Sequence, residues 1–291
     1  MALFDRFPVT LISVDSAQVY RGLDIGSAKL EPSLLERYPH ELINLRWPEQ
    51  SYSAAEFVAD AEAVMRSAQA AGRIPVLVGG TVLYARALMY GLDPLPAADS
   101  AVRARIAEQA ASKGWEALHA ELAARDPETA ARIRASDPQR VQRALEILEL
   151  TGKGMTALHS GPRMPRFPTL RLVLTPRDRQ VLHERIAQRL DAMLDAGFID
   201  EVRRLRQRPG LSADHTAMRS VGYRQVWEYL EGSCTRAALR ERAVAATRQL
   251  AKRQLTGLRR LPGTLWYDSQ CRRRINDVCR QAGRFCERIG R

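Results

Sequence analysis

Two short stretches hold the residue types that could do chemistry. In residues 11–29, LISVDSAQVYRGLDIGSAK, the apolar run of Leu11, Ile12 and Val14 stops abruptly at Asp15-Ser16. Such a run reads as a short buried strand. In an open parallel sheet, ligands bind just beyond the carboxyl ends of the strands. A carboxylate and a hydroxyl at such an end are placed for proton transfer and for polar contact with a ligand. Asp15 can equally cap the turn that follows it, and the local sequence leaves both readings open. Residues 74–78, IPVLV, then Gly79-Gly80-Thr81, repeat the pattern of strand, turn and helix start. Glycine lets backbone approach a ligand closely, and a helix N-terminus offers free N–H groups to an anion. A plain tight turn capped by Thr81 fits the same residues.

Arginines supply the complementary chemistry. By the helical angle, Leu182, Ile186 and Met193 share one face of a helix, and Arg189 falls in the same sector. An arginine on a packing stripe needs an anion, because a buried unpaired charge costs several kcal/mol. Guanidinium suits phosphate; snorkelling past the helix edge is the alternative. Arg140 and Arg143 sit one turn apart, just after Asp137-Pro138. Cations are mildly disfavoured at a helix N-terminus, so an external anion would relieve them, although a solvated face fits as well. Farther on, Arg248, Lys252 and Arg259 project within about 40° of one another on a helix, a stripe able to track a phosphate backbone.

The elements that must position these residues follow from periodicity and punctuation. Residues 1–7, MALFDRF, read as the end of a helix stopped by Pro8. Leu42, Ile43 and Leu45 predict a short strand. Ser51 or Ser53 caps a helix over about 54–71, whose apolar residues Phe57, Ala61, Val64, Met65 and Ala68 keep helical spacing, with Gly72 as its stop. From Pro94 to about Arg166 strand patterns vanish, and Ala, Arg and Glu dominate. Asp126-Pro127 and Asp137-Pro138 each look like an N-cap followed by Pro in the first turn, and the second starts the longest helix of this segment. Residues 94–166 are therefore expected to form a helical insertion domain, and 1–93 with 167–291 an α/β core. Residues 152–168 form a Gly- and Pro-rich connector, 170–174 a strand, 178–208 one long helix, and 235–260 a last long helix.

Composition narrows the partners. The chain has 291 residues, 45% hydrophobic and 27% charged, which suits a globular protein with a sizeable core. No apolar run reaches the roughly 18 residues that span a bilayer, and the N-terminus lacks signal-peptide features, so a cytoplasmic protein is expected. The four cysteines, Cys234, Cys271, Cys279 and Cys286, form no CxxC pair and read as reduced structural thiols, not as a metal site. Residues 236–291 carry 15 Lys and Arg against four Asp and Glu, a net of +11, while residues 1–235 carry 30 against 29, a net of +1. A nearly neutral body with a basic C-terminal fifth points to a polyanion such as nucleic acid, with a solvated basic tail as the alternative.

Six segments, ISVDSAQVYRGLDIGSAK, YSAAEF, VLVGGTVLYARAL, DPQRVQRALE, SVGYRQVWEYLEG and ATRQLAKRQLTGLRRL, occur in this order. Together they resemble the bacterial tRNA isopentenyltransferase family over nearly the whole chain. The resemblance implies a P-loop NTPase-like parallel sheet with an inserted all-helical domain and a basic helical C-terminus. It implies transfer of a dimethylallyl group from dimethylallyl diphosphate to N6 of the adenosine just 3′ of the anticodon, in tRNAs that read codons beginning with U. Mg²⁺ is the implied cofactor and the anticodon stem-loop the implied partner; a monomer is expected.

Carried over by motif, Asp15 matches the general base that takes a proton from the adenine amine. Asp15, Ser16, Ala17 and Gln18 would contact the extruded nucleotide, as chemistry on a stacked base requires. Thr81 and Arg103 match tRNA-contacting positions. So do Gln139, Arg140, Val141, Gln142 and Arg143, and also Arg219, Ser220, Val221, Gly222, Tyr223 and Arg224. On the last long helix, Lys252, Arg253, Gln254 and Leu255 match, followed by Thr256, Gly257, Leu258 and Arg259. Arg189 matches the arginine that holds the diphosphate. The family's opening strand and loop, resembling GPTASGKT, have no counterpart in this sequence. The expectation is that the first strand and P-loop lie upstream of Met1, and that a chain truly starting at Met1 transfers weakly or not at all. Two rivals stand beside this reading: a small-molecule kinase of the same fold using ATP, and a catalytically weak tRNA-binding remnant.

Overall fold

The computed structural model describes residues 1–159, 161, 163–271 and 273–289. Ser160 and Pro162 of the expected connector lie outside them. Strand β1 (Val9–Val14) is followed by α1 (Pro32–Arg37), the two-residue β2 (His40–Glu41), α2 (Ala54–Ala70), β3 (Ile74–Gly79) and α3 (Val82–Tyr90). Helices α4 (Ser100–Lys113), α5 (Trp115–Arg125), α6 (Pro127–Ala130) and α7 (Pro138–Thr151) come next, with a 3₁₀ turn at Met155–Leu158. The chain then forms β4 (Arg171–Thr175), α8 (Arg179–Asp195), α9 (Phe198–Arg206), α10 (Tyr223–Leu230), α11 (Arg236–Arg259), β5 (Thr264–Asp268) and α12 (Arg273–Ile289). Two compact units result: residues 1–89 with 165–291, and residues 90–164.

The larger unit is α/β, and all its strand pairs are parallel. They fall in two sheets, ordered β2-β1-β3 and β4-β5, instead of one continuous sheet. Among the described residues no strand pairs with the outer edge of β3 or of β4. β1 is buried at five of its six positions, as expected of a parallel strand covered on both faces. Its register on β3 runs from Val9 opposite Ile74 to Val14 opposite Gly79, so the two strands end side by side. The core joins Ile12, Val14, Tyr20 and Leu23 to Phe57, Tyr84, Phe198, Val202, Met218 and Tyr223. Phe57 and Tyr84 stack with ring centroids 4.6 Å apart, which fixes α2 against α3. Ser53 and Glu56 cap α2 reciprocally at 3.1 and 2.8 Å, and Gly72 follows its end in the left-handed conformation.

Four local expectations are corrected. Residues 1–7 form turns, not a helix end: Asp5 N and Phe7 N donate to Met1 O and Leu3 O without extending into a helix. The strand expected at Leu42, Ile43 and Leu45 is displaced to His40–Glu41, because Leu42 and Asn44 take positive φ values that no strand tolerates. The single helix expected over 178–208 breaks at Gly197, whose φ of +94° is left-handed, giving α8 and α9. In the insert, α7 is matched in length by α4, each 14 residues.

The smaller unit, residues 90–164, has its own core of Val102, Ile106, Leu118, Leu122, Val141 and Leu145. Asp126 and Asp137 cap α6 and α7 through their side chains, each with Pro in the first turn. Because, among the described residues, this core draws on none outside 90–164, Leu118→Ala is expected to destabilise the unit by about 2–5 kcal/mol. Hydrogen exchange should then accelerate in peptides from 100–151 while those covering β1 and β3 stay protected. Uniform acceleration across the chain would contradict an independent core.

Candidate active site and nucleic-acid interface

The side-by-side ends of β1 and β3 bring Asp15, Ser16 and Thr81 together. Thr81 N donates to Val14 O at 3.1 Å, which splices the start of α3 onto the end of β1. Ser16 N donates to Thr81 Oγ1 at 3.0 Å, and the two hydroxyls lie 3.3 Å apart. Asp15 Oδ1 accepts from Ala17 N at 2.8 Å and Gln18 N at 3.2 Å. The cap reading of Asp15 is therefore realised by one oxygen. Asp15 Oδ2 has no hydrogen-bond partner among the described residues and stays available as an acceptor, on a half-buried side chain. The glycines are steric requirements here. A Cβ on Gly79 would stand 2.3 Å from Val14 O, and one on Gly80 would stand 2.5 Å from Gln254 Nε2.

That second contact brings α11 to the strand ends. Gln254 Nε2 donates to Gly80 O at 3.0 Å, and Gly257 packs so close to Val82 that a Cβ would meet its Cγ1 at 2.9 Å. The expected stretch 252–259 thus lies against the glycine turn. Lys252, Arg253, Thr256 and Arg259 are exposed, while Gln254, Leu255, Gly257 and Leu258 are half-buried. Beside them a cavity of about 600 Å³ opens at the carboxyl ends of β4 and β5. Its walls carry Arg177, Arg179, Arg248, Lys252 and Arg259 against the single carboxylate of Asp268, with Trp266 under the Arg259 guanidinium at 6.0 Å. Five cations around one carboxylate make this an anion-attracting wall. Arg177, Arg179 and β5 have no place among the sequence expectations, because the cavity forms only where the β4–α8 turn meets β5 and α11, segments far apart in the chain.

A buried carboxylate organises the other side of the site. Glu201, 4% exposed, accepts from three consecutive backbone amides, Asp24 N, Ile25 N and Gly26 N, at 3.2, 2.6 and 3.2 Å. It also accepts from Tyr223 Oη at 2.7 Å. Burial, then the neighbouring Glu201 charge and hydrogen bond, pushes the Tyr223 hydroxyl far above its ordinary range. Gln18 Nε2 donates to Ser27 O at 3.3 Å, which ties the turn after Asp15 to this clamped loop. Glu201 also escaped the sequence reading, although the signal is present. By the helical angle it shares a face with Phe198, Val202 and Leu205, all buried, so an acid stands on an apolar stripe.

Several expected positions stand differently. Arg189 is exposed and makes no ion pair among the described residues. The buried stripe of α8 is turned from the expected one and runs through Ile186, Ala187, Leu190 and Leu194 against Ala243 and Val244 of α11. Tyr223 and Gly222 are buried, the first held by Glu201 and the second at φ +93° against the Phe198 ring, so neither side offers a surface to a partner. Arg219 and Arg224 on either side of them are exposed, and Ser220 and Val221 are half-buried. In the insert, Val141 is fully buried in the core. Gln139 and Arg140 are exposed and Gln142 is half-buried. Arg140 pairs with Asp137 at 3.4 Å, and both Arg103 and Arg143 pair with Glu146, so carboxylates of the insert itself partner the expected basic face. Among the described residues no cluster of three or more His, Cys, Asp and Glu could hold a metal ion, and no helix is long and apolar enough to cross a membrane.

The profile described as IPP transferase matches residues 18–261. The chain belongs to the IPP transferase family. It is 56% identical to a tRNA dimethylallyltransferase of Thiobacillus denitrificans over 269 residues, 92% of this chain and 86% of that one. It is 54% identical to a tRNA dimethylallyltransferase of Alkalilimnicola ehrlichii over 98% of this chain and 90% of that one. The crystal structure of the full-length tRNA isopentenylpyrophosphate transferase of Bacillus halodurans superposes with a TM-score of 0.72 at 33% identity, covering 98% of this chain and 91% of that one. The fold is thus that of the IPP transferases, α/β with a P-loop NTPase-like parallel core. Within the family profile lie Thr81, Glu201, Tyr223 and residues 252–259; Asp15 precedes the matched span, and its standing rests on the strand-end geometry.

Glu201 gathers four donors, so Glu201→Gln turns one acceptor into a donor facing another donor. That substitution is expected to lower stability by about 2–3 kcal/mol, and Tyr223→Phe by about 1–2 kcal/mol. Urea unfolding checks both, and a Glu201→Gln variant as stable as the parent would show that the loop 24–26 has another anchor.

Proposed function

We propose that this chain transfers a dimethylallyl group from dimethylallyl diphosphate to the exocyclic N6 of an adenosine next to the anticodon of tRNA. The observation that carries the proposal is the Asp15 carboxylate at the strand end, with one oxygen held by backbone amides and the other free, in a member of the IPP transferase family. The dimethylallyl carbon leaves its phosphate oxygen as the N6–C bond forms, and the amine proton passes to Asp15 Oδ2. The amides of Ala17 and Gln18 fix the carboxylate for that transfer, which requires hydrogen-bond reach of the amine. Ser16 and Gln18 line the same turn and would meet the flanking faces of the flipped base. Arg189, exposed and making no ion pair among the described residues, is proposed to hold the leaving diphosphate, and positioned cations of this kind stabilise the charge it develops. The exposed Lys252, Arg253 and Arg259 would contact RNA phosphates, as would Arg219 and Arg224.

Magnesium fits this site as a companion of the diphosphate. Mg²⁺ is commonly held by substrate phosphates, water and one or two protein oxygens, and the hydroxyls of Ser16 and Thr81 are the hard-oxygen donors offered at the strand ends. When bound it would neutralise charge on the leaving group. We further propose that the reaction takes place in the cytoplasm, where tRNA is found, and on a monomer. A kinase reading gains nothing from the cationic α11 face, and a mere binding remnant gives the free Asp15 oxygen no task.

Asp15→Ala is expected to reduce label transfer from dimethylallyl diphosphate to tRNA by about 10²–10⁴-fold, the usual worth of a general base. The Kd for tRNA should move by less than about threefold, because Asp15 makes no phosphate contact. Equal loss of binding would recast Asp15 as a positioning residue, and phosphate transfer from ATP to a small molecule would favour the kinase.

A further inference from the structure

The insert contains a buried carboxylate of its own. Glu146 on α7 has no exposed side-chain surface. Its Oε1 accepts from Asp99 N at 2.8 Å and Arg103 Nε at 2.9 Å. Its Oε2 accepts from Arg103 Nη2 at 3.1 Å and Arg143 Nη1 at 2.7 Å. Arg103 is thus gripped by both oxygens, the fork geometry that carboxylates favour. Arg143 Nη2 donates to Pro96 O at 2.6 Å, and Gln142 Nε2 donates to Arg103 O at 3.1 Å. α4 and α7 are locked together by groups that meet at one carboxylate. Both guanidiniums still reach the surface, with side chains 44% and 28% exposed. Burial raises the Glu146 pKa, but the hydrogen bonds from Arg103 and Arg143 outweigh it and hold it below the ordinary glutamate range. The carboxylate is therefore ionised at neutral pH.

We propose that Glu146 is a positioning residue for RNA: it fixes the guanidiniums of Arg103 and Arg143 as a rigid pair whose outward N–H groups take RNA phosphates. The proposal rests on the reading above in which these arginines face tRNA. A free arginine loses rotamer freedom when it binds, and a preset one does not. Simple electrostatics and positioning then predict opposite signs. Removing a negative charge beside an RNA-binding pair should tighten binding if only net charge counts. It should weaken binding if the carboxylate's task is to hold the pair in place.

The experiment measures anticodon stem-loop affinity of the full chain across a salt series. Glu146→Gln is expected to weaken binding about tenfold and to flatten the salt dependence by about one phosphate contact, 0.7–0.9 in the slope of log K against log salt. In a background of Arg103→Gln with Arg143→Gln, the same change should alter affinity less than about twofold, because the pair it positions is gone. Arg103→Lys keeps the charge and Glu146 but loses the fork, and should weaken binding about threefold to fivefold. This variant decides the question if Glu146→Gln does not fold. Affinity equal to or tighter than the parent in a folded Glu146→Gln protein overturns the proposal, as does unchanged affinity in Arg103→Lys. A parent chain that binds the stem-loop no better than random RNA overturns the tRNA reading itself. A parent that binds well beside an unaltered Glu146→Gln overturns only the positioning role.

Discussion

Glu201 is the point on which the larger unit turns. A buried carboxylate is tolerable only when donors replace its water, and here four do so. Three of the four are successive amides of the loop after Tyr20, which pins that loop to α9. The fourth is Tyr223, which pins the start of α10 to the same carboxylate. The tightness of this knot explains the small residue at its centre: a Cβ on Gly26 would overlap the Phe198 ring at 2.1 Å and Tyr223 at 2.7 Å. The turn bearing Asp15 inherits its placement from the knot through Gln18 and Ser27. Lys29 adds a second tie, donating to Tyr20 O, Asp24 Oδ1 and Asn44 Oδ1. The turn that carries Asp15 is thus held in place by a buried acid.

Asp15 shows how one side chain serves two ends. An aspartate at a strand end that did nothing but cap its turn would serve equally well as asparagine or serine. One whose second oxygen is left free, beside a hydroxyl pair and a cation-lined helix, offers a proton acceptor whose position is already fixed. The two amides that hold Oδ1 fix where that acceptor stands.

What could be read from the sequence divides along a physical line. Parallel strands buried on both faces produce apolar runs that stop sharply, so Asp15 and Thr81 were legible as strand-end residues, and the register that brings them together is the natural outcome of two such strands pairing. Caps were legible because Ser53, Asp126 and Asp137 satisfy their own local amides. Arg189 misled because a helical wheel fixes relative angles but not which face the fold buries, and that face depends on where α11 lies. Gly197 read as one residue in a long helix because its neighbours favour helix. Glu201 and Glu146 were missed for the opposite reason. Each looks like surface charge until the donors that justify its burial arrive from segments far away in sequence, residues 24–26 and 223 for one and residues 99 and 103 for the other.

The discontinuous body has a consequence for synthesis. Chains emerge N-terminal end first, and domains tend to close as units while they do so. β1 is made before the insert, and part of the core it belongs to, Phe198, Val202, Met218 and Tyr223, comes from beyond the insert. The insert's core lies wholly within residues 102–148. The second unit in the chain is therefore the first able to complete itself. The core around β1 stays incomplete until α10 has left the ribosome. This is an interval in which a chaperone, or a neighbouring nascent chain, meets the open side of that core before α9 and α10 do.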